Sequence, residues 1–145
     1  MRTIKFRGKR LDNGVWLYGS LLVSHFKDDK KERYFITQFS GNYTFEHEVD
    51  PNTVGQFTGL KDRDGRDVYE GDIFKDSSGV LRSIFRVPGG LAFEYNPVAF
   101  GYGHRTPIYP YSPLAEIQNE AWISQCCEVI GNIHDNPELL KGGEQ

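Results

Sequence analysis

Apolar and polar positions alternate from the start of the chain. Ile4 and Phe6 sit between Thr3, Lys5 and Arg7, the two-residue period of a half-buried strand. Asp12-Asn13-Gly14 then supplies a tight turn, because Gly adopts positive φ without a Cβ clash. Val15-Trp16-Leu17-Tyr18 follows, so residues 3–18 predict a hairpin whose second strand runs on to Val23, with Gly19 as a bulge. Residues 28–32 are too polar for a core and predict an exposed turn. A third strand is expected over 33–39, with Tyr34, Ile36 and Gln38 on one side. After Ser40-Gly41-Asn42, a fourth strand puts Tyr43, Phe45, His47 and Val49 on one face, with His47 inside the sheet or at its rim. Pro51 ends it.

The same grammar continues. Val54, Phe57 and Leu60 precede Asp64-Gly65, and Val68, Tyr69, Ile73 and Phe74 follow it, a hairpin with a second turn at Glu70-Gly71-Asp72. Strands over 80–87 and 91–95 flank Pro88-Gly89-Gly90. The proline- and glycine-rich stretch 96–113, carrying Phe100, Tyr102, Tyr109 and Tyr111, predicts a long loop. Residues 114–124 suit a short helix or, nearly as well, a strand. Residues 126–133 predict the last strand. Asn136-Pro137-Glu138 combines a cap, a first-turn proline and an acid at a helix N-terminus, so one or two helical turns close the chain. The expected fold is mainly β and antiparallel, barrel-like, with a layout analogous to small SH3-like barrels and a short C-terminal helix. Residues 1–145 read as a single domain, divisible into subdomains 1–52 and 53–145.

Three blocks resemble the YopX family of bacteriophage and prophage proteins. The central one is Thr53-Val54-Gly55-Gln56-Phe57-Thr58-Gly59-Leu60-Lys61-Asp62, followed by Gly65 and Val68-Tyr69-Glu70-Gly71-Asp72-Ile73. The first is Ile4-Lys5-Phe6-Arg7-Gly8 with Trp16 and Tyr18-Gly19-Ser20-Leu21, and the last runs from Glu128 to Leu140. The resemblance spans nearly the whole chain. It implies a phage or prophage origin in a bacterium and an all-β fold, and it carries no activity to particular residues. The 96–113 segment departs from the family pattern, which makes any role there local to this protein.

Composition narrows the class. With 38% hydrophobic and 26% charged residues, the 145-residue chain is that of an ordinary soluble domain, and 14% aromatics with 16 glycines favour strands and tight turns. No apolar run is long enough to span a membrane. The charged start lacks the apolar stretch of a secretion signal, so the expected location is the cytoplasm of a bacterial host cell, away from membranes. Net charge is −3, yet residues 1–40 carry nine Lys and Arg against four Asp and Glu, and the remainder eight against sixteen. Such asymmetry suits a basic face and an acidic face meeting across a subunit boundary, or plain solvated surface. Cys126 and Cys127 are adjacent; on a strand they point to opposite faces, one buried and one outward, and neither bridge nor chelate one ion together.

Candidate chemistry is sparse. Asp62, Asp64, Asp67, Glu70 and Asp72 cluster around the central turn. As a calcium loop with Gly65 in sixth place, the first and twelfth ligands fall on Leu60 and Gly71, so the EF-hand reading fails. Another arrangement would hold magnesium for hydrolysis; the plainer reading is that acids at bends face solvent and bond their own backbone. His25, His47, His104 and His134 share no ligand spacing, and no nucleophile motif or phosphate loop occurs. No catalytic residue, cofactor or metal ligand is therefore expected. Lys5, Arg7, Lys9 and Arg10, near Phe6, Trp16 and Tyr18, form the best nucleic-acid feature. Tyr102, Tyr109 and Tyr111 form the best partner-binding feature, since Tyr offers large contact area at low entropic cost. The leading function is a phage-derived, non-enzymatic, self-associating binding or scaffold protein, since a small all-β chain has open edges to cover. A nucleic-acid-binding accessory protein and a metal-dependent hydrolase are the alternatives.

Overall fold

A computed structural model of the chain describes residues 3–25, 31–77, 79, 81–87, 90–95, 105–107 and 122–140. The chain divides into two compact units, Met1–Phe57 and Thr58–Gln145.

In the first unit, strands β1 (Phe6–Lys9), β2 (Trp16–His25), β3 (Glu32–Ser40) and β4 (Tyr43–Val49) follow one another as antiparallel neighbours. The start of β5 (Gly55–Lys61) flanks β1 on its other side, pairing Arg7 with Gly55. The two-residue period carries through. Leu17, Ile36 and Val49 are buried on one face, packed with Phe6, Leu21, Tyr34 and Val54. Lys5, Arg7 and Lys9 belong to the other face. Register explains the Gly19 position differently from the expected bulge. β2 pairs with β1 up to Phe6↔Gly19 and with β3 from Ser20↔Thr37, without a shift. At that change of partner a Cβ on residue 19 would run into the Thr37 carbonyl oxygen. Gly19 is there for close backbone approach.

The sheet curls enough for Arg10 to bridge Val49, with Leu11 N donating to Glu48 O at 3.1 Å and Asp50 N to Lys9 O at 2.8 Å. A single turn of 3₁₀ helix, Pro51–Thr53, fastens this corner: Asp50 accepts from Asn52 N, and Thr53 Oγ1 accepts from Lys9 N at 2.9 Å.

In the second unit, the end of β5 carries β6 (Asp67–Tyr69) across the Asp62–Arg66 turn. A separate sheet comprises β7 (Asp72–Lys75), β8 (Leu81–Val87), β9 (Gly90–Tyr95), β10 (Arg105–Pro107) and β11 (Glu128–Asn132), ordered β10-β9-β8-β7-β11. Its core is Val68, Phe74, Ile84, Ile123 and Cys127, with Leu60, Trp122 and Val129 packed on it. Each fully buried aliphatic or aromatic side chain there stabilises by about 1.5–3 kcal/mol before chain entropy is subtracted.

The expected hairpins over 3–18 and at Asp64-Gly65 form, and β8 pairs antiparallel with β9 as the hairpin expected over 80–95 requires. Three expectations change. The described strands make open antiparallel sheets and no closed barrel, because β10 and β11 end the second unit's sheet. Within the predicted 96–113 loop, residues 105–107 are a strand, and the register sets Arg105 opposite Glu94. Cys126 ends a helical turn over 122–126, and the last strand starts only at Glu128. Residues 114–121 of the expected helix lie outside the described residues. The C-terminal turn Pro137–Leu140 is 3₁₀, with the Asn136 side chain directed back to Asn132 N at 3.3 Å. No helix among the described residues is long and apolar enough to cross a membrane.

Candidate functional site

β1 extends the alternation of its sequence into a row of cations. Its register sets Lys9 opposite Trp16 and Arg7 opposite Tyr18, so cations and rings share one face. Lys5 Nζ lies 4.5 Å from the Phe57 ring centre, Arg7 Cζ 4.7 Å and Lys9 Nζ 5.6 Å from that of Trp16. A cation over a ring face is held by the ring quadrupole, and more strongly as water is removed. Arg7 is the most enclosed, only 5% exposed, while Lys5 and Lys9 are half-buried. Arg10 is directed elsewhere: its guanidinium makes a two-pronged contact with Asp12 at 2.9 and 2.6 Å. That bond holds the Asp12 carboxyl below its usual range. The structure thus brings Lys5, Arg7 and Lys9 together and sets Arg10 apart in an exposed ion pair. Phe6 is on the opposite face, in the core.

The β3–β4 hairpin exposes Tyr43 and Phe45, which its alternation predicts to be inside, and Phe39 on the other face. Ser40 pairs with Tyr43 around Gly41-Asn42. Phe39 and Tyr43 are each 73% exposed and Phe45 is 49% exposed. Of the face expected to be buried, Val49 is enclosed and His47 half-buried, while Tyr43 and Phe45 stand in solvent. The cause is the fork at Gly19. Beyond Thr37, β3 no longer has β2 beside it, and the hairpin end projects past the core. A cleft of about 450 Å³ opens in the fork, lined by Tyr18, Ser20, Thr37, Gln38, Phe39 and Phe45. Gln38 Nε2 donates to the Tyr18 carbonyl across it at 3.3 Å. Alternating aromatics directly beside a two-residue turn were the available signal, since such a tip has little beneath it to cover them.

The turn carboxylates behave differently from the solvent-facing acids expected. Asp62 and Asp72 are 3% and 2% exposed. Asp62 Oδ1 accepts the amides of Asp64 and Arg66, each at 2.9 Å, and Oδ2 accepts that of Val129 at 2.9 Å. Asp72 Oδ2 accepts Tyr69 N at 2.7 Å. Carboxylates that collect backbone donors in this way order a turn. Asp64 is exposed, and Asp67 pairs with Lys61 at 3.1 Å. Among the described residues, no three His, Cys, Asp or Glu side chains converge as ion ligands. His25 lies 3.9 Å from Glu32 at a strand end, and His134 is in the turn after β11; His104, Tyr102, Tyr109 and Tyr111 lie outside the described residues.

Beside the second core, Arg82 meets Asp76 at 3.3 Å and covers the Trp122 ring at 4.9 Å, and Trp122 meets Phe74 edge-on. Both cysteines are free. Burial, followed by the nearby Asp76 carboxylate, pushes the Cys127 thiol up to about 12, which keeps it protonated and unreactive at neutral pH.

Fold and surface together define an antiparallel β protein with ordered turn carboxylates, a cation–aromatic strand face and an aromatic-tipped hairpin. The YopX protein family matches residues 5–141, and the chain belongs to that family, as its three sequence blocks led us to expect. Among solved structures it is similar to the crystal structure of protein EF1440 from Enterococcus faecalis: 22% identity, 97% of this chain and 100% of that chain covered, TM-score 0.53. That likeness concerns the fold. No curated protein matches the chain.

Proposed function

We propose that this YopX-family chain is a phage- or prophage-derived binding or scaffold protein that acts by self-association and not by catalysis, in the cytoplasm of a bacterial host. The observation that carries the reading is the projecting end of β3–β4. Phe39, Tyr43 and Phe45 present aromatic surface there, beside an edge strand. Exposed aromatics at a sheet edge favour pairing with another chain, and soluble proteins ordinarily blunt such edges with charge or proline. Light scattering on purified protein at concentrations on the order of 10–100 µM tests it. A dimer or larger species is expected; a monomer throughout removes the reading.

A second reading, a nucleic-acid-binding accessory protein, is favoured by the row of Lys5, Arg7 and Lys9 on one strand face. It predicts affinity falling steeply with salt, and a salt slope reduced by about one for each phosphate-contacting cation removed. Lys5→Ala and Lys9→Ala test this at the two half-buried lysines, and an unchanged slope in both variants rejects it. The amide-bound carboxylates of Asp62 and Asp72 lend no support to a hydrolase.

A further inference from the structure

Along an antiparallel strand, the N–H and C=O of successive residues point alternately to the two neighbours. In β4 the Ser40↔Tyr43 closing pair turns Tyr43, Phe45 and His47 toward β3. Thr44, Glu46 and Glu48 therefore turn outward, and Leu11 N on the Glu48 carbonyl confirms the phase. Among the described residues, nothing takes the outward main-chain groups of Thr44 and Glu46. Both residues are exposed, as are their neighbours Tyr43 and Phe45.

We propose that two copies of the chain join through this edge, β4 against β4, antiparallel, about a twofold axis normal to the sheet at Phe45. The proposal rests on the self-association reading above and supplies its geometry. A twofold axis of this kind pairs residues lying equally far on either side of it, so few registers exist. With the axis at Phe45, Thr44 of each copy faces Glu46 of the other, and all their outward amides and carbonyls exchange hydrogen bonds. With the axis at Thr44, Glu46 falls opposite Asn42 in the turn and the ladder shortens. With the axis at Glu46, the two Glu46 carboxylates face each other, and Thr44 faces the Glu48 carbonyl already taken by Leu11. Only the Phe45 register uses the free main-chain groups and opposes no like charges. It sets the Phe45 rings against each other in a close, non-hydrogen-bonded pair, where aromatic side chains stabilise most, and Tyr43 against the second copy's His47.

The test is Phe45→Cys in a Cys126→Ser background, oxidised mildly, with Tyr43→Cys as the matched control. In the proposed register residue 45 meets itself within disulfide reach, whereas residue 43 faces residue 47. The expected result is a disulfide-linked dimer several-fold more abundant for Phe45→Cys than for Tyr43→Cys. Should the cysteine variants fold poorly, amide exchange on the unaltered chain reads the same geometry. Thr44 and Glu46 amides should exchange more slowly as protein concentration rises through the dimerisation range. A dimer in light scattering with neither preferential cross-linking nor that protection overturns the register while self-association stands. A monomer overturns both.

Discussion

The Asp62 carboxylate accepts the backbone amide of Val129 at 2.9 Å, across 67 residues of chain. Its other oxygen already holds the amides of Asp64 and Arg66. One nearly buried side chain therefore orders the central turn and fixes the start of β11 to it. Arg63 reinforces the join, its amide on the Cys127 carbonyl and its guanidinium on Glu128 at 2.7 Å. Asp62→Ala leaves these part-buried amides without the acceptor; a fully buried orphan costs about 1–3 kcal/mol, and water can reach the amides of the exposed Asp64 and Arg66. We expect a loss of about 2–4 kcal/mol in urea unfolding. Asp62→Asn keeps one carbonyl oxygen for the turn and turns an NH₂ toward Val129, so its loss should be smaller. Equal losses for the two variants would show that the single carbonyl oxygen of Asn holds none of these amides, so that the turn needs the ionised carboxylate with both its oxygens.

Gly65 and Asp64 separate backbone need from charge. Gly65 has φ of 81°, a region in which a β-branched side chain is strained. Gly65→Val should cost about 1–2 kcal/mol. Asp64 is exposed, with its amide already satisfied by Asp62, so Asp64→Asn should leave the thermal midpoint nearly unmoved. The reverse ranking in melts would assign the turn a charge-dependent role.

Gly19 is a test of close approach. Its φ is unremarkable; the constraint is the Thr37 carbonyl, with Ile36 Cγ2 only 3.3 Å from where a Cβ would sit. Backbone yields less readily than the end of a side chain, so Gly19→Ala must spread β2 from β3 where β2 changes partner. We expect about 1–3 kcal/mol of destabilisation, the range for overpacking. Amide exchange should speed up around Ser20 and Thr37 before it does so elsewhere. A neutral variant would mean that the fork is already loose.

Much of this architecture is legible in the chain, and the illegible part has a physical pattern. Turns at Asn13-Gly14 and Asp64-Gly65 are local decisions of a few dihedrals, so sequence suffices. Ile36 and Val49 lie on alternating strands, where period two identifies the core. Tyr43 and Phe45 obey the same period and are nevertheless exposed, because alternation fixes a face and not what lies over it. Asp62 reads as a hydrophilic bend residue; its burial depends on Val129, whose proximity no local pattern encodes. The cations are legible as a row, but the rings beneath them are only partly so. Trp16 follows from the hairpin register, whereas Phe57 arrives from a strand that pairs at long range with β1.

Cys127 makes stability depend on alkaline pH in a direction that can be worked out. The thiol is fully buried among Val68, Phe74, Ile84 and Ile123, and burial is the main reason it titrates at about 12. In the unfolded chain a cysteine titrates near 8.5, give or take about half a unit. Between these values the native state keeps a proton that the unfolded state releases, so raising pH favours unfolding. The contribution is fully present below about pH 8.5 and is lost progressively as pH rises toward 12. Lysines and tyrosines also titrate in that window, so the readout is a difference between chains. Urea midpoints of the unaltered protein and of Cys127→Ala should be compared at about pH 7.5 and about pH 10.5. The alanine variant should start less stable, because a cavity replaces the sulfur, and should lose less between the two pH values. A thiol reagent at neutral pH should modify the half-buried Cys126 in the native protein and reach Cys127 only on unfolding. Native Cys127 reacting as fast as Cys126, or equal pH slopes in the two chains, would show that the thiol is not held protonated by the core.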